Sequence, residues 1–115
     1  MARVLGIHEV ELNPGTDPDE FERLAADVVA SAAPEGWRAL VLKGERGRRL
    51  GKYLLAFEID SLEARDRLYP EFGLASQESD QFDQQHPETA ALWERMFSMI
   101  ANMNVAATDY VVIAE

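Results

Sequence analysis

The chain is 115 residues and 12.9 kDa, with 21 acidic against 11 basic side chains, a formal charge of −10 and no cysteine. That length predicts one domain spanning residues 1–115, and 47% apolar with 28% charged content is an ordinary globular balance. Lack of cysteine excludes disulfides, thiolate metal sites and thiol nucleophiles, the negative charge disfavours phosphate backbones, and no apolar run reaches the roughly 18–20 residues of a membrane helix; the expectation is a cytoplasmic protein with neither nucleic acid nor membrane as partner.

Residues 3–12 are rich in β-branched and apolar types and run into Asn13-Pro14-Gly15, which predicts a strand closed by a turn. Asp17 then stands where an N-cap belongs and Pro18 fits the first helical position. Phe21, Leu24, Ala25, Val28, Val29 and Ala32 follow the spacing of one buried helical stripe, which Pro34-Glu35-Gly36 ends. Residues 37–43 and 52–60 predict two strands joined by the polar, glycine-rich hairpin loop 44–51. Ser61 caps a short helix over 62–69, closed by Pro70, and residues 76–85 have the composition of a short polar helix. From about Pro87 a last helix is predicted, its stripe formed by Leu92, Met96, Met99, Ile100 and Met103 and widened by Trp93 and Phe97; residues 108–114 make a final strand. The order β-α-β-β-α-β, with its second helical region broken, predicts a ferredoxin-like α+β fold: an antiparallel four-stranded sheet with helices on one face.

Successive strand residues face opposite sides. Tyr53, Leu55, Phe57 and Ile59 oppose Leu54 and Ala56, and Trp37, Ala39 and Val41 oppose Leu40 and Leu42. Neither face is polar throughout, whereas a sheet with one wet face normally alternates apolar with polar. The helices cover one face, so a second copy is expected on the other, giving a homodimer with a partly enclosed cavity between sheet and helices.

This order and the two-faced sheet resemble the dimeric α+β barrel superfamily, which includes antibiotic biosynthesis monooxygenase-like, heme-degrading and muconolactone isomerase-like proteins, stress-responsive proteins and many small bacterial proteins. The passage Gly51-Lys-Tyr-Leu-Leu-Ala-Phe-Glu-Ile-Asp-Ser-Leu-Glu-Ala-Arg-Asp-Arg-Leu-Tyr-Pro70 looks like the strand-cap-helix stretch of bacterial members. The resemblance implies the fold and the dimer. For activity it implies either a small cofactor-free monooxygenase-like or isomerase-like enzyme acting on an aromatic or polyketide-like molecule, or a non-catalytic ligand-binding or stress-related module. The heme-degrading members carry a histidine on the last helix. Residues 88–103 have none, and Asn13 and Trp37 fall in no matching motif, so no heme or other cofactor is expected.

Among the chemistry-bearing residues, His8 is the natural general base, since imidazole titrates near neutrality, and it shares a strand face with Val4, Gly6 and Val10. Tyr53 or Trp37 is its candidate acid or oxyanion partner. Tyr53, Phe57, Tyr69, Phe72, Trp93 and Phe97 are candidates to line a cavity for a small apolar or aromatic ligand, although such residues are more often core. Glu9 and Glu11 share the opposite strand face, with no accompanying His-x-His or His-Glu-x-x-His pattern to suggest a metal. Six of the eleven basic residues, Arg38, Lys43, Arg46, Arg48, Arg49 and Lys52, cluster on the hairpin, where they either steer an anion, pair with acidic surface or solvate a loop.

Overall fold

The computed structural model describes residues 2–71 and 73–115. Its elements are β1 (Val4–Val10), α1 (Pro18–Ala30), β2 (Trp37–Lys43), β3 (Tyr53–Ile59), α2 (Leu62–Leu68), α3 (Gln77–Gln85), α4 (Pro87–Ser98) and β4 (Thr108–Val111). The four strands form one antiparallel sheet in the order β2-β3-β1-β4. With four helices among the described residues, this is an α+β fold compatible with a ferredoxin-like arrangement.

Local chemistry sets the helix boundaries. The Asp17 carboxylate accepts from the Asp19 amide ahead of Pro18, and the Ser61 and Ser76 hydroxyls accept from the Ala64 and Ser79 amides, so each of α1, α2 and α3 begins on a side-chain cap. The α1 stripe then buries Phe21, Leu24, Ala25 and Val28 against Val10, Tyr53, Leu55, Met96 and Ile100. Each of these large side chains, taken fully out of water, contributes about 1.5–3 kcal/mol. Between β2 and β3 the loop closes tightly: a Cβ on Gly44 would lie 1.9 Å from the Arg49 carbonyl oxygen, so only glycine fits there.

Register assigns the two faces. Val4, Gly6, His8 and Val10 sit opposite Ile59, Phe57, Leu55 and Tyr53, and Gly6 also sits opposite Asp109 of β4. This set faces the helices. The opposite face carries Leu5, Ile7, Leu40, Leu42, Leu54 and Tyr110, of which Leu40, Leu42 and Tyr110 are exposed. Its two ends are charged, Arg3 and Arg38 pairing with Glu58 at one and Arg49 with Glu9 at the other. No helix among the described residues is long and apolar enough to cross a membrane.

The last helix is shorter than its apolar stripe. It stops at Ser98, and the backbone beyond it is captured by the segment that follows β1: Asn13 donates to the Met99 carbonyl at 2.9 Å and Ala101 donates to that of Glu11 at 2.7 Å. Asn102 completes the clasp, accepting from the Glu11 amide and donating to the Glu9 carbonyl. Ile100 is thereby buried through a bridge to Leu12 and not through helical continuation, while Met103 is exposed.

The molecule exposes 7793 Å², against about 6,300 Å² for a compact monomer of this mass. Its radius of gyration, 14.4 Å, likewise exceeds the roughly 13.4 Å of a compact chain of this length.

Candidate functional site

Gly6 is the floor of the most distinctive arrangement on the helix-facing side of the sheet. Within β1 it lies between Phe57 on β3 and Asp109 on β4, and a Cβ placed on it would stand 2.9 Å from Asp109 Oδ1 and 3.9 Å from Phe57 Cβ. The Asp109 carboxylate therefore occupies the space that a side chain at position 6 would take. From α2, Arg65 holds that carboxylate, Nη1 to Oδ2 at 3.2 Å, while its Nη2 reaches Asp66 at 2.9 Å. These two carboxylates and the neighbouring hydrogen bonds raise the affinity of the guanidinium for its proton, the Asp66 bond most of all.

His8 is the next residue along β1 on this face. It is 6% exposed, and its Nε2 is buried with no hydrogen-bond partner. Asp109, Phe57 and Tyr53 are all diagonal neighbours of His8 across the two ladders, a relation that spaces them by about 7–8 Å. A buried polar atom left without a partner costs roughly 1–3 kcal/mol, so Nε2 is a point at which the fold gives up stability.

Aromatic rings wall the other side. Phe57 stacks on Trp93 of α4 at 5.5 Å and 22°, Trp93 meets Phe97 at 5.5 Å, and Trp37 sets its edge against Phe57 at 5.7 Å and against Tyr69 at 5.8 Å. Trp37, Phe57, Trp93 and Phe97 are all half-buried, so the layer is not sealed. Phe72 lies outside the described residues.

The two residues expected to assist His8 are engaged elsewhere. Tyr53 is buried beside Phe21, its hydroxyl donating to Glu22, which also takes Lys43 at 2.9 Å. Burial first, and then the bond to Glu22, push the Tyr53 phenol above its usual range. Trp37 sits opposite Ile59, two strands and two pleat rows from His8, and its Nε1 donates to the Ala64 carbonyl at 3.2 Å. Each borders a different cleft. One, about 310 Å³, runs between α1 and β2 past Glu22, Ala26, Val29 and Tyr53; the other, about 240 Å³, is polar and lies among Gly36, Trp37, Glu58 and Asp60. His8 lines neither.

The remaining sequence candidates separate in the same way. Glu9 is exposed on the other face with Arg49, and no group of three or more histidine, aspartate or glutamate side chains converges among the described residues. Of the hairpin bases, Arg38, Lys43 and Arg49 pair with Glu58, Glu22 and Glu9, so half of the cluster is internal bracing.

Compared with known proteins, the chain matches no family model, no curated protein and no solved structure.

Proposed function

We propose that this protein is a homodimer of the dimeric α+β barrel kind that admits a small aromatic molecule between sheet and helices and exchanges a proton with it at His8. The observation that carries the site is the buried, unpartnered Nε2 beside an aromatic layer and the Arg65–Asp109 pair. Tyr53 and Trp37 are not its acid partners in this reading, because their polar hydrogens are already donated. The chemistry is cofactor-free, with His8 as base: the deprotonated substrate is either reprotonated at another of its atoms, as in an isomerase-like reaction, or oxidised by dissolved dioxygen, one oxygen atom entering the product and the other leaving as water, as in a monooxygenase-like one. Incubating the protein with a panel of quinols, phenols and lactones tests it: turnover that disappears in His8→Ala while the oligomer persists is the expected outcome, and full activity in that variant overturns the assignment.

The dimer rests on the surface excess. About 1,500 Å² beyond the area of a compact monomer exceeds the roughly 800 Å² that each partner buries in a standard interface, and the face opposite the helices supplies apolar side chains for it. Sedimentation at micromolar concentration should give twice 12.9 kDa, and a species of that single mass excludes the dimer.

One observation favours a second reading, a binding module without turnover. With Tyr53 and Trp37 spent, His8 has a hydrogen-bonding role but no neutral acid beside it. Native mass spectrometry separates the two: a copurified small molecule with no turnover of any panel member supports binding alone.

A further inference from the structure

Strand β2 is an edge of the sheet, and its outer side is open. At the two ends of its ladder with β3 the Asp60 amide donates to the Gly36 carbonyl at 2.9 Å and the Gly44 amide to that of Lys52 at 2.8 Å. Bonding to β3 therefore runs through the even-numbered residues of β2, and the N–H and C=O groups of Ala39, Val41 and Lys43 point away from the sheet. No described turn or loop takes them up. We propose that this edge binds an extended peptide segment of another protein as a fifth strand, with an apolar side chain in the cleft between α1 and β2 and acidic residues towards the 44–51 loop.

Edge strands are ordinarily blunted by a proline, a bulge or an outward charge. Here the register is unbroken from Trp37 to Lys43 with no proline in it, and Lys43, the one charge on the helix side of the strand, is folded back onto Glu22 at 2.9 Å. Beside this edge lies the cleft of about 310 Å³, bounded by Val41 below and by Glu22, Ala26 and Val29 of α1, spaced i, i+4 and i+7, above. Val29 belongs to the apolar stripe of α1 yet is 40% exposed, and Ala26 is too small to close the space, so the helix offers more apolar surface than the chain covers. A strand added to β2 continues the pleat, and every second side chain rises on the side of Ala39 and Val41, towards Ala26 and Val29.

Charge gives the peptide its polarity. At the loop end Arg46, Arg48 and Lys52 are exposed and in no ion pair among the described residues, with Glu45 the single acid beside them. At the other end Glu35 and Asp60 are exposed and equally unpaired, while Arg38 is held by Glu58. The edge is thus positive at one end and negative at the other, on a molecule of net charge −10. Every pairing in this sheet is antiparallel, which is also the stronger mode, so the acidic end of the peptide is its N-terminal one.

The experiment titrates the peptide acetyl-Asp-Asp-Thr-Leu-Thr-Leu-Thr-Lys-amide into the isotope-labelled full chain and follows the backbone amide resonances. Binding at about 0.1–1 mM is expected, with shifts centred on Ala39, Val41 and Lys43. The charge-swapped peptide Lys-Lys-Thr-Leu-Thr-Leu-Thr-Asp should bind at least about fivefold more weakly at low salt, and N-methylation of both leucines, which removes the donors aimed at β2, should abolish binding. Ala26→Phe, at an exposed helix position, should fill the cleft and weaken binding at least about fivefold, with unchanged far-ultraviolet circular dichroism. If that variant does not fold, Arg46→Glu with Arg48→Glu on the exposed loop carries the test, and should erase the preference between the two peptides. No shift at those three amides with about 2 mM peptide overturns the proposal, as does equal binding of the charge-swapped or N-methylated peptide. Protection of the same amides when the protein alone is concentrated assigns the edge to a second copy and also overturns it. None of these residues belongs to the His8 site, so every outcome leaves that reading as it stands.

Discussion

His8 shows what a single buried polar atom does to stability. Replacing it by leucine keeps a buried side chain of similar reach and removes a polar atom that has no partner. His8→Leu should therefore raise unfolding stability by about 1 kcal/mol in urea titration, while abolishing turnover or ligand binding. A destabilised variant would mean that the imidazole is satisfied in solution and is a structural residue. His8 was legible in the sequence because strand alternation alone puts it on the face of Val4 and Val10. Asp109 and Arg65 were not, since their meeting depends on the β1/β4 register and on the position of α2, neither of which a pattern of apolar residues encodes. The signal that could have pointed there was Gly6, an isolated glycine inside an apolar strand, which marks a close approach by something else.

Charged pairs at one end of the sheet and between α1 and β2 give stability an acid limb, and Tyr53 gives it an alkaline one. Glu58 is held below the usual carboxylate range, first by its bond to Arg38 and then by Arg3, and Glu22 first by Lys43 and then by Tyr53. In both cases the unfolded chain takes up a proton at higher pH than the folded one, so the stabilisation is complete above the ordinary carboxylate range and is lost as pH falls through the lowered values. Glu58→Gln should flatten the acid limb of a urea-midpoint profile, modestly because these pairs are partly exposed, and an unaltered limb would remove the pair from the account. Tyr53 has the opposite sign. Its contribution is present below about pH 10 and declines as pH rises towards the raised value, so alkaline difference absorbance should lose a component above the ordinary phenol range in Tyr53→Phe.

At the scale of elements, α1 is the piece whose packing the sequence states most fully. Its stripe, cap and first-turn proline agree with one another, and Phe21, 1% exposed, is the largest side chain it buries. Phe21→Ala should cost about 3–5 kcal/mol in chemical denaturation, and a loss below 1 kcal/mol would show that α1 repacks without it. The end of α4 was less legible. Met99, Ile100 and Met103 keep the helical spacing, yet the chain leaves the helix at Ser98 because carbonyls and amides after β1 offer partners from outside it. Asn102, which makes two of those bonds, carries no hydrophobic signal, and Asn102→Ala should loosen the junction between β1 and α4 in amide exchange at Glu11 and Ala101.

For the whole molecule, the second apolar face was plain from alternation, but what covers it is not written in the same pattern. Leu40 and Leu42 stand on the edge strand β2 with Ala56 and Leu54 beside them, so Leu40→Glu places a charge within the proposed contact. The variant should sediment as a folded monomer, whereas an unchanged mass would move the interface elsewhere.

The central position of β1 also governs how this chain must fold. Both of its neighbours are distant in sequence, Ile59 pairing with Val4 from one side and Val111 from the other, and the clasp through Asn102 joins the same early segment to a late one. Loop closure must therefore precede most of the sheet, which places folding in the slower range for a small mixed domain, milliseconds or longer. During synthesis β1 precedes the other three strands of its sheet, and its second edge is covered only when β4 is made. Until β3 emerges it is an apolar ribbon with two open edges, and that interval, more than the finished structure, is where this protein is vulnerable to aggregation.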